Sequence, residues 1–595
     1  MALRTRLARQ VHFRPLPPSA ASRRFRPLAR LPPSPESPPA APFSTSRYSL
    51  QAPDRASMAA SQLTQAPSHQ TAKAGITACF VNVGSDHPSV LEAIVKGKRE
   101  RPNAWPRIIT CPAEMTAISM ADGYARVSGR PQAVLVHVDV GTQALGHGVH
   151  NASVGRVPIF IFAGMCPYTE AGEVTGSRTE YMHWLQEAPD QKAIVRQYCR
   201  YTGEVRTGLN VKQTVGRALQ FANSAPRGPV YVAAAREVLA QEVPPYSLDQ
   251  AHDVCFPFEH PASEGFRLAL DECTRDTDMV FLLDCDVPWI PARNPPPEHA
   301  TIYHVDCDPL NQQIPVSFFP AHGRWKADSF TALSQLVEYI KNDAALAKQL
   351  QDPEYAARGA AREKVHASRL AEIAAQARLG DDEPLNAANI GSLLKTALPA
   401  STTFVIEAVT AAQTLSDQLQ PSRPGSWINC GATGIGWSNG AALGVKMALM
   451  DLESDQPGEH SLVCQVVGDG SFMCAAPSSA LWVASKYEIP VLTIVLNNGG
   501  WKAPRNSAQL VYPDGLAAGA TDDEINISFC PTPNYAALAE AAAGSETGGG
   551  GLTGDDGAWM RGLRVRTVAE LKRALEMVES RVIQQRKGML LEVML

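Results

Sequence analysis

The chain has 595 residues, too many for one hydrophobic core, so about three domains are expected. Apolar residues make up 45% and charged residues 19%, with 43 Gly and 46 Pro, which fits a loop-rich α/β enzyme and not a disordered or fibrous chain. A net charge of −5, with no basic excess beyond the first fifty residues, argues against a nucleic-acid or membrane-surface role.

The first fifty residues differ from the rest. Segment 1–48 carries nine arginines, no lysine and no acidic residue before Glu36, with Ser and Pro throughout. That is the composition of a mitochondrial transit peptide, so a matrix address is expected, with processing near Arg47. Residues 49–74 read as a flexible lead-in. From 75 to 245, short apolar strands (ITACFVNV, AVLVHV, IFIFAG, VYVAA) alternate with helical stretches, the pattern of a parallel, doubly wound sheet. A second α/β unit is expected over 255–383, with strands at MVFLLDCDV and ATIYHVDCDP and a largely exposed helical connector from Ala344 to Leu379. A third unit covers 384–595. Its segment AAAGSETGGGGLTGDDG has no strand before it and reads as a surface insertion. The fold class expected is therefore α/β with three doubly wound parallel-sheet domains. The twelve cysteines show no C-x-x-C pair and imply buried thiols in a reducing compartment. No apolar run reaches the roughly 18 residues that span a bilayer.

Chemistry concentrates in the third unit. Gly468-Asp469-Gly470-Ser471 closes the apolar run VCQVV, and Asn497-Asn498 closes VLTIVL. Open α/β sheets bind ligands at the carboxyl ends of their strands. There the glycines let backbone N–H groups reach phosphate oxygens, and a following helix offers its positive end. Asp469, the Asn498 amide oxygen and a backbone carbonyl at Gly500 supply hard oxygen ligands for Mg²⁺, with two phosphate oxygens and a water completing the shell. The spacing therefore points to a divalent metal and a diphosphate.

These residues resemble the thiamine diphosphate enzymes, in which the two motifs form the diphosphate–metal site. The resemblance implies a glutamate far upstream, following a strand and opening a helix, that hydrogen-bonds the aminopyrimidine ring and sets its tautomer. RIITCPAEMTAISMADGYARVSG has that shape and nominates Glu114. It also names the three units as pyrimidine-binding, central and diphosphate-binding. The segments VIEAVTAAQTL, GSWINCGATGIGWSNGAALGV and SALWVASKYEIPVLTIVLNNGGW narrow the likeness to the benzoylformate decarboxylase and acetolactate synthase branches. Carried over residue by residue, it places Thr410 and Thr433 at the cofactor and Ile435 beneath its rings as the wedge that bends it. It makes Ser85 and His137 the groups that handle substrate protons, Trp501 a pocket wall, and Lys502 or Arg505 candidate carboxylate binders. Two departures stand out: Pro291 occupies the place of a second histidine, with His299 nearby, and Ala144 replaces a usual asparagine.

The resemblance thus implies an enzyme dependent on thiamine diphosphate and Mg²⁺ that acts on 2-oxo acids. Acetolactate synthase-like carboligation is the first expectation, favoured by the mitochondrial address and the missing histidine. Non-oxidative decarboxylation of an aromatic or branched 2-oxo acid is the alternative, supported by Ser85 and His137. A catalytically silent regulatory relative is the third, and the presence of Glu114 and Asp469 speaks against it. The family places the active site between subunits, so a homodimer or homotetramer is expected. Some members hold FAD or an adenine group in the central unit; CDVPWIPARNPPPEH shows no clear dinucleotide loop, so FAD is not expected.

Overall fold

A computed structural model describes residues 76–100, 106–244, 246, 274–291, 293–310, 319–453, 461–544 and 558–595. The expected transit peptide, the lead-in, the start of the second unit (255–273) and most of the glycine-rich insertion lie outside the described residues.

Three parallel sheets carry the chain. The first runs β1 (Ala78–Val81), β2 (Arg107–Thr110), β3 (Gln132–Val136), β4 (Ile159–Met165), β5 (Tyr201–Val205) and β6 (Val230–Ala235), in spatial order β2-β1-β3-β4-β6-β5. Between these strands lie helices α1 (Pro88–Glu100), α2 (Glu114–Ser128), α3 (Val138–Ala144) and α4 (Gly146–Val154). The middle unit contributes β7 (Met279–Leu283), β8 (Thr301–Asp306) and β9 (Gly323–Lys326), paired in that order. Its connector forms helices at Ala344–Gln349 and Pro353–Gln376, the second opened by Asp352, whose side chain accepts the Glu354 N–H at 3.0 Å. The third sheet is β10 (Thr403–Glu407), β11 (Trp427–Asn429), β12 (Val463–Gly468), β13 (Leu492–Asn497), β14 (Met560–Val565) and β15 (Gly588–Met594). Its order, β11-β10-β12-β13-β15-β14, repeats that of the first sheet strand for strand.

The strands form because runs such as IFIFAGM and VCQVVG are β-branched or aromatic and bury both faces, as parallel sheets require. A single apolar core extends from Ala78 to Val491 and joins the first and third units. At its centre α2 crosses α5 (Trp437–Glu453), with Ile118, Met120 and Trp437 fully buried. Each such side chain contributes roughly 1.5–3 kcal/mol by leaving water.

This crossing brings backbone against backbone. A Cβ at Gly123 would lie 2.2 Å from the Ala441 carbonyl oxygen, one at Gly440 2.6 Å from that of Thr116, and one at Gly444 2.0 Å from that of Met120. The contacts converge on the middle of α2, and both the first residue of α5 (Trp437, at Asp122) and a residue near its end (Asp451, at Tyr124) reach the C-terminal half of α2. Trp437 Nε1 donates to Asp122 Oδ1 at 3.0 Å, and Arg126 Nε donates to the same oxygen at 2.6 Å. The middle unit is tied on through Arg156, which follows α4 and reaches Asp286 at 2.7 Å and Asp306 at 3.2 Å. Among the described residues no helix is long and apolar enough to cross a membrane.

Candidate active site

The third sheet builds one half of the site. Glu407 lies opposite Val467, and Gly468 opposite Leu496, so the ends of β10, β12 and β13 share one edge. Asp469 opens α6 (Asp469–Cys474) directly after β12 and is 2% exposed. Its Oδ1 accepts the Gly470 N–H and its Oδ2 the Gly500 N–H, both at 2.9 Å. Burial pushes its carboxyl above the usual range, against the pull of the Gly470, Gly500 and Gly499 N–H groups and the Lys502 charge. Only six residues long, α6 has a smaller axial dipole than the sequence suggested, and backbone N–H groups dominate.

The two asparagines divide their labour. Asn497 is buried and structural, its Nδ2 donating to Glu592 at 2.8 Å and to Thr532 at 2.9 Å. Asn498 is left to the half-buried turn beside Gly500. Gly500 has φ 148° and would place a Cβ 2.0 Å from the Ile527 carbonyl oxygen, so no other residue fits. The Trp501 indole lies where a Cβ on Gly470 would meet it at 2.3 Å and stacks edge-on with Phe529 at 5.0 Å. Ser471 is buried; Thr410 and Thr433 stand exposed at the same edge.

The turn before α5 carries Ile435, which is half-buried. Its N–H bonds to the Thr433 carbonyl at 2.9 Å. Gly434 is held twice by Asn151 on α4: its carbonyl accepts from Asn151 Nδ2 at 2.8 Å and its N–H donates to Asn151 Oδ1 at 3.0 Å. Behind the turn, the Glu407 carboxylate accepts the N–H groups of Trp437 (3.2 Å) and Ser438 (2.9 Å). Burial pushes Glu407 up to about 7 despite these donors. Gln465 in β12 donates to Ser438 and Asn439, and Asn439 donates to the Phe472 carbonyl, tying the start of α5 to α6.

The first sheet builds the other half. Glu114 is the first residue of α2, and its Oε1 would be 3.6 Å from a Cβ on Gly141 of α3. The start of α5 and the strand end before it lie against the C-terminal half of α2, where Arg126 donates to the Asn429 carbonyl at 3.2 Å and Asp122 accepts from Trp437, whereas Glu114 opens the other end of that helix. His137 sits one residue past β3, at the start of α3, and not between strand residues as the sequence suggested. Its Nδ1 meets Asp86 Oδ1 at 2.5 Å, while Asp86 Oδ2 accepts the Val138 N–H at 3.0 Å. That bond, with the charges of Asp86, Asp139 and Glu114, raises the imidazole's affinity for a proton, and burial opposes it. Ser85 is exposed, its carbonyl accepting from Arg236 at 3.2 Å.

The structure removes some candidates and adds others. Lys502 and Arg505 are both spent on Asp522, the latter at 2.6 Å, and are not open carboxylate binders. His299, Pro291 and Ala144 are exposed, and no described contact links them to these residues. Asp86, Asn151 and Glu407 were not anticipated. Asp86 follows Ser85 directly and Glu407 lies in VIEAVT, so both stood inside segments already singled out.

A sheet edge presenting a glutamate at a helix start and another presenting a Gly-Asp-Gly turn with an Asn-Asn strand end are the parts of a cofactor-binding α/β enzyme. The thiamine pyrophosphate enzyme N-terminal TPP binding domain matches residues 63–194, and the corresponding C-terminal TPP binding domain matches residues 407–582. Benzoylformate decarboxylase of Pseudomonas aeruginosa is 24% identical over 480 residues, covering 72% of this chain and 85% of that protein. The mitochondrial acetolactate synthase catalytic subunit of Aspergillus candidus is 30% identical over 127 residues, 21% of this chain and 17% of its own length. The thiamine diphosphate-dependent 4-hydroxybenzoylformate decarboxylase of Rhodococcus jostii RHA1 superposes with a TM-score of 0.63 at 20% identity, covering 89% of this chain and 98% of that one, which shows the shared fold. The chain belongs to the thiamine pyrophosphate enzymes, and its homologues include benzoylformate decarboxylases and acetolactate synthase large subunits.

Proposed function

We propose that this chain is a thiamine diphosphate- and Mg²⁺-dependent enzyme that decarboxylates a 2-oxo acid and releases the aldehyde. The residues present fit both groups. Asp469 is a buried carboxylate whose charge a bound cation would compensate, and a Cβ on Gly468 would meet nothing within 4 Å, which leaves room for phosphate oxygens. Asp469, the Asn498 amide oxygen and the Gly500 carbonyl would hold the metal. Gly468, Gly470, Ser471, Thr410 and Thr433 would surround the diphosphate, Ile435 would support the rings, and Glu114 would bond the pyrimidine. When bound, thiamine diphosphate supplies a nucleophilic carbon for the substrate carbonyl and an electron sink as CO₂ leaves.

What favours aldehyde release is His137, a cation-prone imidazole within the field of Glu114. It offers a proton donor where the new C–H bond must form. Carboligation is the second reading, favoured by Pro291 at the place where the resemblance expects another histidine. The reading extends to a homodimer and to matrix import directed by residues 1–48.

Purified protein supplied with thiamine diphosphate, Mg²⁺ and either pyruvate or benzoylformate is expected to release CO₂ and the matching aldehyde. Accumulation of an acetohydroxy acid would instead establish the second reading. Glu114→Gln should lower turnover at least about 100-fold while the cofactor still binds. Absence of cofactor-dependent CO₂ from a panel of 2-oxo acids would refute the proposal.

A further inference from the structure

His137 is gripped more tightly than a proton-transferring side chain on a loop needs to be. Its partner Asp86 is 1% exposed and uses both oxygens, one on the ring nitrogen Nδ1 and one on the Val138 N–H. The pair is also enclosed by two glycines. A Cβ on Gly84 would fall 2.0 Å from His137 Nδ1, and one on Gly164 would fall 1.5 Å from Asp86 Oδ2. Two separate backbone segments have thus given up a side chain where these groups meet. The neighbouring His87 does not compete for the proton. It lies 3.1 Å from Asp86 Oδ1, but its Nδ1 accepts the Gly84 N–H at 3.1 Å, and burial keeps this ring neutral.

We propose that Asp86 is a positioning residue that fixes the tautomer of His137, so that Nε2 is the nitrogen through which the site takes up and returns its proton. The carboxylate holds the hydrogen on Nδ1 in both charge states. Neutral His137 then presents a lone pair at Nε2, and protonated His137 presents an N–H there; no described residue bonds that nitrogen. The ring is 24% exposed, enough for a substrate to reach it. Asp139 and Glu114 also face His137 and favour its cation. His87 and His183 also lie within the field of Asp86, and burial, then the Arg236 and Arg178 charges, lowers the proton affinity of His183. Among the described residues, Asp86 is the one acidic group hydrogen-bonded to the ring. This inference rests on the proposed role of His137 in 2-oxo acid turnover, yet its central claim concerns the ring itself.

The test is Asp86→Asn in the full chain loaded with thiamine diphosphate and Mg²⁺. Diethyl pyrocarbonate acylates neutral imidazole, so its rate at the His137 peptide, followed by mass spectrometry against pH, reports that ring's titration without any turnover. In the parent protein the midpoint should lie above that of a free histidine, and in Asp86→Asn it should fall by about one pH unit or more. The limb of kcat/KM that belongs to His137 should move with it, and kcat should drop about 10–100-fold. In a His137→Gln background the same change at Asp86 should add no further loss, which separates positioning from general damage to the fold. An unchanged midpoint overturns the inference even in an active enzyme. A shifted midpoint in a protein that turns over no 2-oxo acid supports the pairing and refutes the proposed reaction instead.

Discussion

Substituting Gly444 by Ala tests the helix crossing that joins the first and third units and seats the turn carrying Ile435. The added methyl would sit 2.0 Å from the Met120 carbonyl oxygen, 2.8 Å from its carbon and 2.9 Å from the Tyr124 nitrogen. Ordinary contact for a Cβ begins at 3.4 Å, so the helices must part by more than an ångström, and the opposing atoms are all backbone. Overpacking of this kind costs about 1–3 kcal/mol, and the upper end is expected where no side chain can swing away. Parting the helices also stretches the bonds of Asp451 to Tyr124 and Arg107 and that of Trp437 to Asp122. Glycine-to-alanine in a helix is otherwise favourable by about 0.5–1 kcal/mol, and Gly359→Ala provides the control, since a Cβ there meets nothing within 4 Å in the exposed helix Pro353–Gln376. Thermal melting by circular dichroism and thiamine diphosphate titration should show Gly444→Ala melting lower and binding the cofactor more weakly, with Gly359→Ala at or above the parent. If Gly444→Ala melts with its parent and binds equally well, the crossing does not set the site.

Two further outcomes follow from the diphosphate half. Asp469→Asn should weaken thiamine diphosphate binding in the presence of Mg²⁺ by at least about 100-fold, read by calorimetry, because it removes a buried carboxylate charge at the turn proposed to hold the metal; unaltered affinity would rule Asp469 out as a ligand. Glu407 gives a pH dependence of definite sign. Its carboxyl is raised from 4.5 to about 7 in the folded chain, so the folded state holds an extra proton between those values. Stability should therefore decline as pH rises through that window and level off above about 7, by an amount on the order of 3 kcal/mol. Glu407→Gln should flatten the melting temperature over that range, and a slope equal to the parent's would assign the dependence to other groups.

The sheets and the diphosphate half were legible because they depend on local order. An apolar run ending in Gly-Asp-Gly or Asn-Asn states both a buried strand and what stands at its end. The division between Asn497 and Asn498 was not legible, since Glu592, which claims the first, lies 95 residues away on a neighbouring strand. Asp86 was passed over for the same reason: its partner is 51 residues on, and the room for the pair comes from Gly84 and Gly164, which meet only in the fold. Lys502 and Arg505 looked like open cations because both lie on α7 (Lys502–Val511), while their anion, Asp522, comes 17 to 20 residues later, after that helix has ended. His137 was placed within a strand because apolar residues flank it on both sides, and the strand ends one residue earlier.

The repeated strand order makes the two outer units topological equivalents. In each outer unit the helix at the crossing follows the second strand: α2 after β2, and α5 after β11. The two helices are topological equivalents, each leaving the carboxyl edge of its own sheet, where such folds bind ligands. At the crossing the start of α5 meets Asp122 and Arg126, 8 and 12 residues beyond Glu114, or about 12–18 Å along α2. Within one chain the turn that carries Ile435 is therefore set apart from Glu114, in keeping with the family resemblance, which expects the two halves of a site from different subunits. What Gly123, Gly440 and Gly444 specify is how closely α2 and α5 approach within the chain, and so how firmly the first and third units are joined.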